Sequence, residues 1–303
     1  MVMTLKHYQE VRILGKIIIN GGIPLSGTVS IHGAKNAVLP ILAATVMVGG
    51  VHIIHNCPDF SDVFITVEIL KSLGAKVTRD QNTLTVDTSG ALGSVIPEHL
   101  MRKLRSSVIF MGAVLARNRE AKISTPGGCE LGPRPIDLHL KTLAQLGAEI
   151  KEEHGYLICK AKKLTGKAIH LDFPSVGATE NLLLAAAMAS GETVISNAAR
   201  EPEIYDLACF LNNMGADIQG AGTSTIKIIG KQNLIPTQYT VMPDRIVAAT
   251  YLCAAAATGG EVTVTHMRSD HISAVLSVLE DCGCYLFSTE DTVLLKAPKR
   301  LKA

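Results

Sequence analysis

The stretch Asn181-Leu-Leu-Leu-Ala-Ala-Ala-Met-Ala-Ser190 leads into Thr193-Val-Ile-Ser196 and, after an amphipathic segment, into Met214-Gly-Ala216. Its reading decides the fold. A helix apolar on every side is stable only when neighbours bury it all round. The β-branched run after it reads as a strand. A glycine just past a helical pattern is the usual left-handed stop. The same order recurs along the chain. Leu73-Gly-Ala75, Leu146-Gly-Ala148 and, in weakened form, Cys282-Gly-Cys284 place the four glycines 73, 68 and 68 residues apart (147−74, 215−147, 283−215). Upstream of the other three signals, Asn36–Val48, Ser106–Ala116 and Ile246–Thr258 read as equally apolar inner helices. They run into the strands Val51–Ile54, Ala121–Ser124 and Glu261–Thr265. An outer amphipathic helix and a β-hairpin complete each unit, with Thr83–Val86 and Thr225–Ile228 as second hairpin strands. A unit of about 70 residues built on a bare apolar helix needs neighbours to cover it. The expected fold class is therefore α/β, made of four such repeats after a lead of roughly thirty residues.

Composition excludes several functions. The chain has 303 residues, 47% apolar and 18% charged, which is a globular and not a disordered composition. Lysine and arginine number 29 against 27 acidic residues, so the net charge of +2 provides no field for nucleic-acid binding. Aromatics make up 4% with no Trp, which argues against base-stacking platforms and membrane belts. The apolar runs fall short of the ~18 residues of a membrane span. Met1–Arg12 carries Lys6, Glu10 and Arg12 with no apolar core, unlike a secretory signal. The seven cysteines lie at 57, 129, 159, 209, 253, 282 and 284, with no Cys-x-x-Cys pair. An odd count without ligand spacing predicts neither a disulfide framework nor a metal site. The expectation is a cytoplasmic protein with reduced thiols, no metal, no cofactor, and neither nucleic acid nor membrane as a partner.

The units differ where chemistry can sit. From the strand end to the stop glycine, three of them span 18 (Asn56 to Gly74), 18 (Asn197 to Gly215) and 17 (His266 to Gly283) residues, but the second spans 22 (Thr125 to Gly147). The extra residues fall in Thr125-Pro-Gly-Gly-Cys-Glu-Leu-Gly-Pro-Arg-Pro-Ile-Asp-Leu-His139. An insertion in one repeat maps to a loop, and loops on a rigid scaffold carry function. Glycines give this one hinge freedom, and Pro133 and Pro135 fix Arg134 between them. Cys129 is either an acid or nucleophile with a tuned thiol, or an ordinary exposed thiol. Gly33-Ala-Lys35-Asn36 delivers an ammonium to a helix start, either as an anion site or as a solvated lysine. Pro174-Ser-Val-Gly-Ala-Thr179 opens the third inner helix with another small-residue turn. Arg102, Lys103 and Arg105 precede the second. Three units thus present phosphate-friendly groups at one topological place.

Four segments carry a resemblance: Gly33-Ala-Lys-Asn-Ala-Val-Leu-Pro40, the Pro126–His139 loop, Pro174–Thr179 and Asn197-Ala-Ala-Arg-Glu-Pro-Glu-Ile204. Together they resemble the UDP-N-acetylglucosamine enolpyruvyl transferases from about Lys16 onward. The resemblance implies an inside-out α/β barrel (the enolpyruvyl transferase fold) of six repeats, three per domain. Residues 1–34 would supply a strand to the second domain, 35–241 a complete three-repeat domain with the cysteine loop, and 242–303 the first repeat of the second domain. Four of six copies would be present, without a match to the family's Pro-x-Phe-Pro-Thr-Asp segment or its later arginine. The implied reaction moves an enolpyruvyl group from phosphoenolpyruvate to the 3-hydroxyl of UDP-N-acetylglucosamine, the first committed step of peptidoglycan synthesis. Cys129 would be the general acid at the phosphoenolpyruvate methylene and a target of fosfomycin-type alkylation. Lys35 and Arg134 would hold phosphoenolpyruvate, with Asn36 beside them. Arg105, Pro135, Ile136, Asp137, Leu138, Ser175, Val176 and Gly177 would contact the UDP-sugar. Two local departures stand out: Val and Ala in Pro243–Ala249 where the family usually has Glu and Gly, and Phe173 where some members have Lys. Two other readings are a domain that binds UDP-sugar or a partner without turnover, and a shikimate 3-phosphate enolpyruvyl transferase, which shares the fold but not the cysteine loop. With the fourth inner helix short of neighbours, self-association through its apolar face is expected.

Overall fold

The computed structural model describes residues 21–124 and 136–302. After strand β1 (Ser26–Ser30), the first unit runs α1 (Lys35–Ala44), β2 (Val51–His55), α2 (Ser61–Leu73), β3 (Lys76–Asp80) and β4 (Thr83–Asp87). The second contains α3 (Glu98–Lys103), a 3-10 turn over Arg105–Ile109, α4 (Phe110–Asn118), β5 (Glu120–Ser124), α5 (Asp137–Gln145), β6 (Glu149–Glu153) and β7 (Tyr156–Lys160). The third follows with β8 (Ala168–His170), α6 (Val176–Ala186), β9 (Glu192–Ser196), α7 (Pro202–Asn213), β10 (Asp217–Gln219) and β11 (Thr225–Ile229). The fourth has β12 (Gln238–Thr240), α8 (Arg245–Thr258), β13 (Glu261–Thr265), α9 (Ser273–Asp281), β14 (Tyr285–Ser288) and β15 (Thr292–Lys296).

Every unit repeats one sheet pattern. The strand after the inner helix pairs antiparallel with the second hairpin strand, as in β2–β4, β5–β7, β9–β11 and β13–β15. A short leading strand lies parallel on its other side, as in β8–β9; in the second unit a single bridge, Val95 to Lys122, takes that place. The four stop glycines all adopt the left-handed conformation, with φ of 109°, 104°, 100° and 90° at Gly74, Gly147, Gly215 and Gly283. An L side chain rarely takes this conformation, which is why the motif keeps its glycine.

The inner helices are shifted from their sequence-expected bounds. Helix α6 starts at Val176, not Asn181, because the Ser175 hydroxyl caps it by accepting from Ala178 N–H at 3.4 Å. The second inner helix is a 3-10 turn followed by α4, and α1 gives way to a 3-10 turn at Thr45–Met47. Packing explains the apolar runs. Helix α4 lies against both α1 and α6, and one core of buried side chains spans Ala34 to Val241. Gly112 is required there, since a Cβ would sit 2.6 Å from Asn181 O. The Asn181 side chain joins three elements: its Oδ1 accepts from Gly112 N–H at 2.7 Å, and its Nδ2 donates to Val108 O (3.2 Å) and to His139 Nδ1 (2.7 Å). A buried amide satisfied in this way rigidifies the core.

A second, smaller core gathers Ile31, Ala248, Leu252, Ala255, Val264, Leu279 and Leu295. Two strands are exchanged between the two bodies. Strand β1 precedes α1 but pairs with β13, whereas β12 precedes α8 but pairs with β2. The chain therefore crosses twice, and the crossings lie side by side. Ala34 N–H donates to Met242 O (2.8 Å) and Asp244 N–H to His32 O (2.9 Å). Gly33 is packed so tightly here that a Cβ would fall 1.7 Å from Asn56 O. Among the described residues, no helix is long and apolar enough to cross a membrane.

Candidate active site

Helix N-termini from several units converge beside the crossing. Asn36 opens α1, Asp137 opens α5, and Val176 and Gly177 open α6. The Arg105–Ile109 turn opens α4, and Arg245 opens α8. Together they line one cleft of about 920 Å³. Helix N-termini direct unpaired N–H groups and positive dipole ends into it, which favours phosphate and carboxylate ligands.

Of the residues singled out in the sequence, Asn36, Arg105, Ile136, Asp137, Leu138, Ser175, Val176 and Gly177 line this cleft together. Lys35 lies in an adjoining cavity of about 370 Å³ with Asn36, Asp62 and Asp244, and its ammonium pairs with the Asp62 carboxylate at 3.0 Å. Arg102 is spent on an exposed pair with Glu98 (2.5 Å) and does not reach the cleft lining. Cys129, Arg134 and Pro135 lie outside the described residues.

The cleft also holds groups the sequence did not announce. His139 is buried beneath Gly177, where a Cβ would stand 2.7 Å from its Cε1. Burial, reinforced by the Arg105 guanidinium, pushes the His139 imidazole down to about 4. It is therefore neutral at physiological pH, and its Nδ1 accepts from Asn181. Four acidic residues besides Asp137 share the lining: Asp172, Glu180, Glu201 and Glu203. Two are compensated. Lys141 Nζ donates to Asp172 Oδ2 at 2.5 Å, and Arg245 forks onto Glu203, with Nε 3.0 Å from Oε1 and Nη2 3.2 Å from Oε2. Burial, with the Glu203 and Glu201 charges behind it, raises Glu180 well above the usual carboxylate range and favours its neutral form. An anionic ligand thus meets fewer negative charges than the residue list suggests. His139, Glu201 and Glu203 stand inside the Pro126–His139 loop and the Asn197–Ile204 segment, but nothing in their spacing marked them as cleft residues. Glu180 is marked by the polar Thr179-Glu180-Asn181 at the start of an otherwise apolar helix.

The Glu203–Arg245 pair also links the two bodies across the cleft. Asp244 caps α8 by accepting from Ile246 N–H (2.9 Å) and Val247 N–H (3.1 Å), and its other oxygen accepts from Lys35 N–H at 3.2 Å. The N-termini of α1 and α8 are thus fastened to the same carboxylate.

Comparison with known proteins agrees with this geometry. Residues 19–303 match the family model of EPSP synthase (3-phosphoshikimate 1-carboxyvinyltransferase). The chain is 54% identical over 290 residues to UDP-N-acetylglucosamine 1-carboxyvinyltransferase 2 of Caldanaerobacter subterraneus subsp. tengcongensis, covering 96% of this chain and 70% of that protein. The chain belongs to the UDP-N-acetylglucosamine 1-carboxyvinyltransferases. The enzyme of that name from Geobacter metallireducens is 47% identical over the same shares of both chains. The transferase fold is seen in the enolpyruvyl transferase NikO from Streptomyces tendae, with a TM-score of 0.81, 25% identity, and coverage of 94% of this transferase and 68% of that chain. EPSP synthase from Acinetobacter baumannii shares the fold at a TM-score of 0.71, 20% identity, and coverage of 94% and 68%.

Proposed function

We propose that this transferase moves the carboxyvinyl group of phosphoenolpyruvate onto the 3-hydroxyl of UDP-N-acetylglucosamine, the peptidoglycan-forming reaction, and that the UDP-sugar occupies the 920 Å³ cleft. In that reaction a bond forms between the sugar 3-oxygen and C2 of phosphoenolpyruvate. The C2–O bond to phosphate breaks, and phosphate leaves with the hydroxyl proton. The observation that carries the reading is the convergence of Asn36, Arg105, Ser175, Val176 and Gly177 on one cleft at the helix N-termini. Amides and a guanidinium gathered there suit a diphosphate and the charge that builds up on the departing phosphate.

The remaining roles follow the family resemblance. Cys129 protonates the phosphoenolpyruvate methylene as the sugar oxygen adds to C2, and the methyl group so formed gives a proton back as phosphate leaves, restoring the vinyl double bond. Lys35 and Arg134 hold phosphoenolpyruvate; Pro135, Ile136, Asp137 and Leu138 flank the UDP-sugar. The Lys35 ammonium pairs with the Asp62 carboxylate at 3.0 Å, and a bound anion competes for that contact. Residues 35–241 act as the sugar-nucleotide domain, and residues 242–303 with the strand from 1–34 belong to a second one. The two separate cores and the β1–β13 pairing support that division. The exposed face of α8 supports self-association.

Phosphate release, measured with phosphoenolpyruvate and either UDP-N-acetylglucosamine or shikimate 3-phosphate, tests the reading. Release with the sugar nucleotide alone supports it, and release with shikimate 3-phosphate alone overturns it. Cys129→Ala should lower turnover by about 100-fold or more while leaving UDP-sugar affinity within about twofold of wild type.

A further inference from the structure

Glu180 lines the cleft and is only 3% exposed, yet among the described residues no hydrogen bond or ion pair satisfies its carboxyl. Buried polar groups without partners are costly and rare, so such a group asks for one. Its oxygens remain open to the cleft, since they are not among the side-chain atoms shut away from solvent without a partner. The elements around it have no donor to spare. Asn181, next in the chain, is committed to Gly112, Val108 and His139. The Thr179 hydroxyl donates to Ser175 O, and Arg245 is forked onto Glu203. Glu201 and Glu203, at the start of α7, bring only negative charge, and with burial they keep the Glu180 carboxyl neutral. A neutral carboxyl carries an O–H donor beside its C=O acceptor.

Helix geometry fixes what can reach it. Val176 and Glu180 are four residues apart and both line the cleft, so Glu180 stands one turn, about 6 Å, below Val176 on the same face of α6. A diphosphate at the α6 N-terminus has the sugar on its inner side, because the 3-hydroxyl must reach the crossing where Lys35 and Asn36 stand. The carboxyl O–H is then one turn below the diphosphate, within the span of the sugar ring. The substituent nearest the diphosphate is the 2-acetamido group, one carbon from the anomeric centre; the 4- and 6-hydroxyls lie farther round the ring. Its amide carbonyl is also the strongest neutral acceptor on the sugar. We infer that Glu180 recognises the 2-acetamido group of the bound sugar nucleotide, donating its carboxyl O–H to the acetamido carbonyl, and so determines specificity at C2. The inference rests on the proposed UDP-sugar reading and adds the residue that tells an acetamido sugar from a plain one. A sugar with a hydroxyl at C2 is too short to meet the carboxyl and leaves it unpaired, which is how a polar site rejects an analogue.

Calorimetry with UDP, UDP-glucose and UDP-N-acetylglucosamine on the wild type, Glu180→Gln and Glu180→Met tests this. The wild type should bind UDP-N-acetylglucosamine at least about tenfold more tightly than UDP-glucose. Glu180→Met should lower that ratio about tenfold while UDP affinity stays within about twofold, and Glu180→Gln, which keeps an N–H donor, should recover most of the ratio. Difference infrared spectra read the unmodified side chain and stand even if Glu180→Met fails to fold. They should show the C=O band of a protonated carboxyl, absent from Glu180→Gln, that shifts with UDP-N-acetylglucosamine and stays in place with UDP-glucose. An unchanged ratio in Glu180→Met, or an infrared band that is missing or indifferent to the acetamido group, overturns the inference and leaves the substrate reading standing. Equal losses for all three ligands would make Glu180 a purely structural residue and overturn it as well. If the wild type binds no uridine ligand, the inference fails together with the substrate reading.

Discussion

Helices α6 and α8 begin from the same kind of sequence. One reads Asn181-Leu-Leu-Leu-Ala-Ala-Ala, the other Leu252-Cys-Ala-Ala-Ala-Ala, and each follows a short leading strand and precedes a β-branched one. Their surroundings are opposite. Every residue of α6 from Ala178 to Ala186 is buried, whereas α8 buries only Ala248, Leu252, Ala255 and Ala256. Ile246 and Tyr251 remain 47% and 41% exposed. Helix α6 lies against α4, a helix of its own kind, as well as α5 and α7; α8 packs chiefly on α9, β13 and β15 of its own unit and reaches the larger body at its N-terminus, through Arg245 and the capping Asp244. Being apolar therefore does not bury a helix by itself; a second inner helix does. The site follows the same rule, because the helix N-termini that line the cleft come mostly from the sealed body, and α8 contributes Arg245.

Substitutions sharpen this contrast. Leu183→Ala in α6 should cost about 4 kcal/mol in urea unfolding, the range for a fully buried leucine, while Tyr251→Ser in α8 should cost less than about 0.5 kcal/mol. Comparable losses would erase the distinction. Acid should also act first on the sealed body. Burial brings His52 and His139 each down to about 4, so unfolding, which restores the ordinary value of 6.5, takes up protons as pH falls. Each histidine then removes about 3 kcal/mol of stability between pH 6.5 and 4. Asp206, raised by burial to about 6, works in the opposite sense and offsets part of that loss. In His139→Gln the slope of stability against pH over this window should fall. An unchanged slope would mean the imidazole is not held neutral.

The bridge between the bodies comes next in size. Glu203→Ala leaves the Arg245 guanidinium without its fork and should cost about 2 kcal/mol. It should also increase protease cleavage near residues 240–245, and unchanged cleavage would show that the pair does not hold the crossing. The smallest effect on stability belongs to Ile246→Ser with Tyr251→Ser, which should abolish concentration-dependent association in sedimentation while shifting stability by less than about 0.5 kcal/mol. A wild-type chain that stays monomeric at high concentration would show that the open face of α8 is not sticky.

Much of this was legible in the residues. The four stop glycines set the repeat because a positive φ is a local requirement, visible wherever it recurs. The cleft residues at the starts of α1, α4, α5 and α6 could be collected by aligning units, since symmetry puts helix N-termini in corresponding places. Other features were hidden for physical reasons. Strands β8 and β12 are three residues long and gain their identity from the partner they pair with, not from an alternating pattern. The five residues added at the front of α6 include Gly177, a poor helix former kept because His139 packs beneath it. Glu203 and Arg245 are 42 residues apart, and no spacing rule joins them. Asn56, Asn197 and His266 share the same left-handed turn after the strand, with φ of 58°, 57° and 54°. The two asparagines donate to carbonyls of the leading strand's far end, Val241 and Leu171, a role the residue type suggests only once the turn is known.

The central claim is that the sealed body supplies the sugar-nucleotide cleft, with Arg245 the contribution of the smaller body among the described residues. Amide chemical-shift mapping with UDP-N-acetylglucosamine tests it most directly. The account predicts shifts concentrated at Asn36, Arg105, Asp137, Leu138 and Ser175 through Ala178, with β13, α9, β14 and β15 unmoved. Shifts centred on α8 and α9, or none at the α6 N-terminus at saturating ligand, would contradict it.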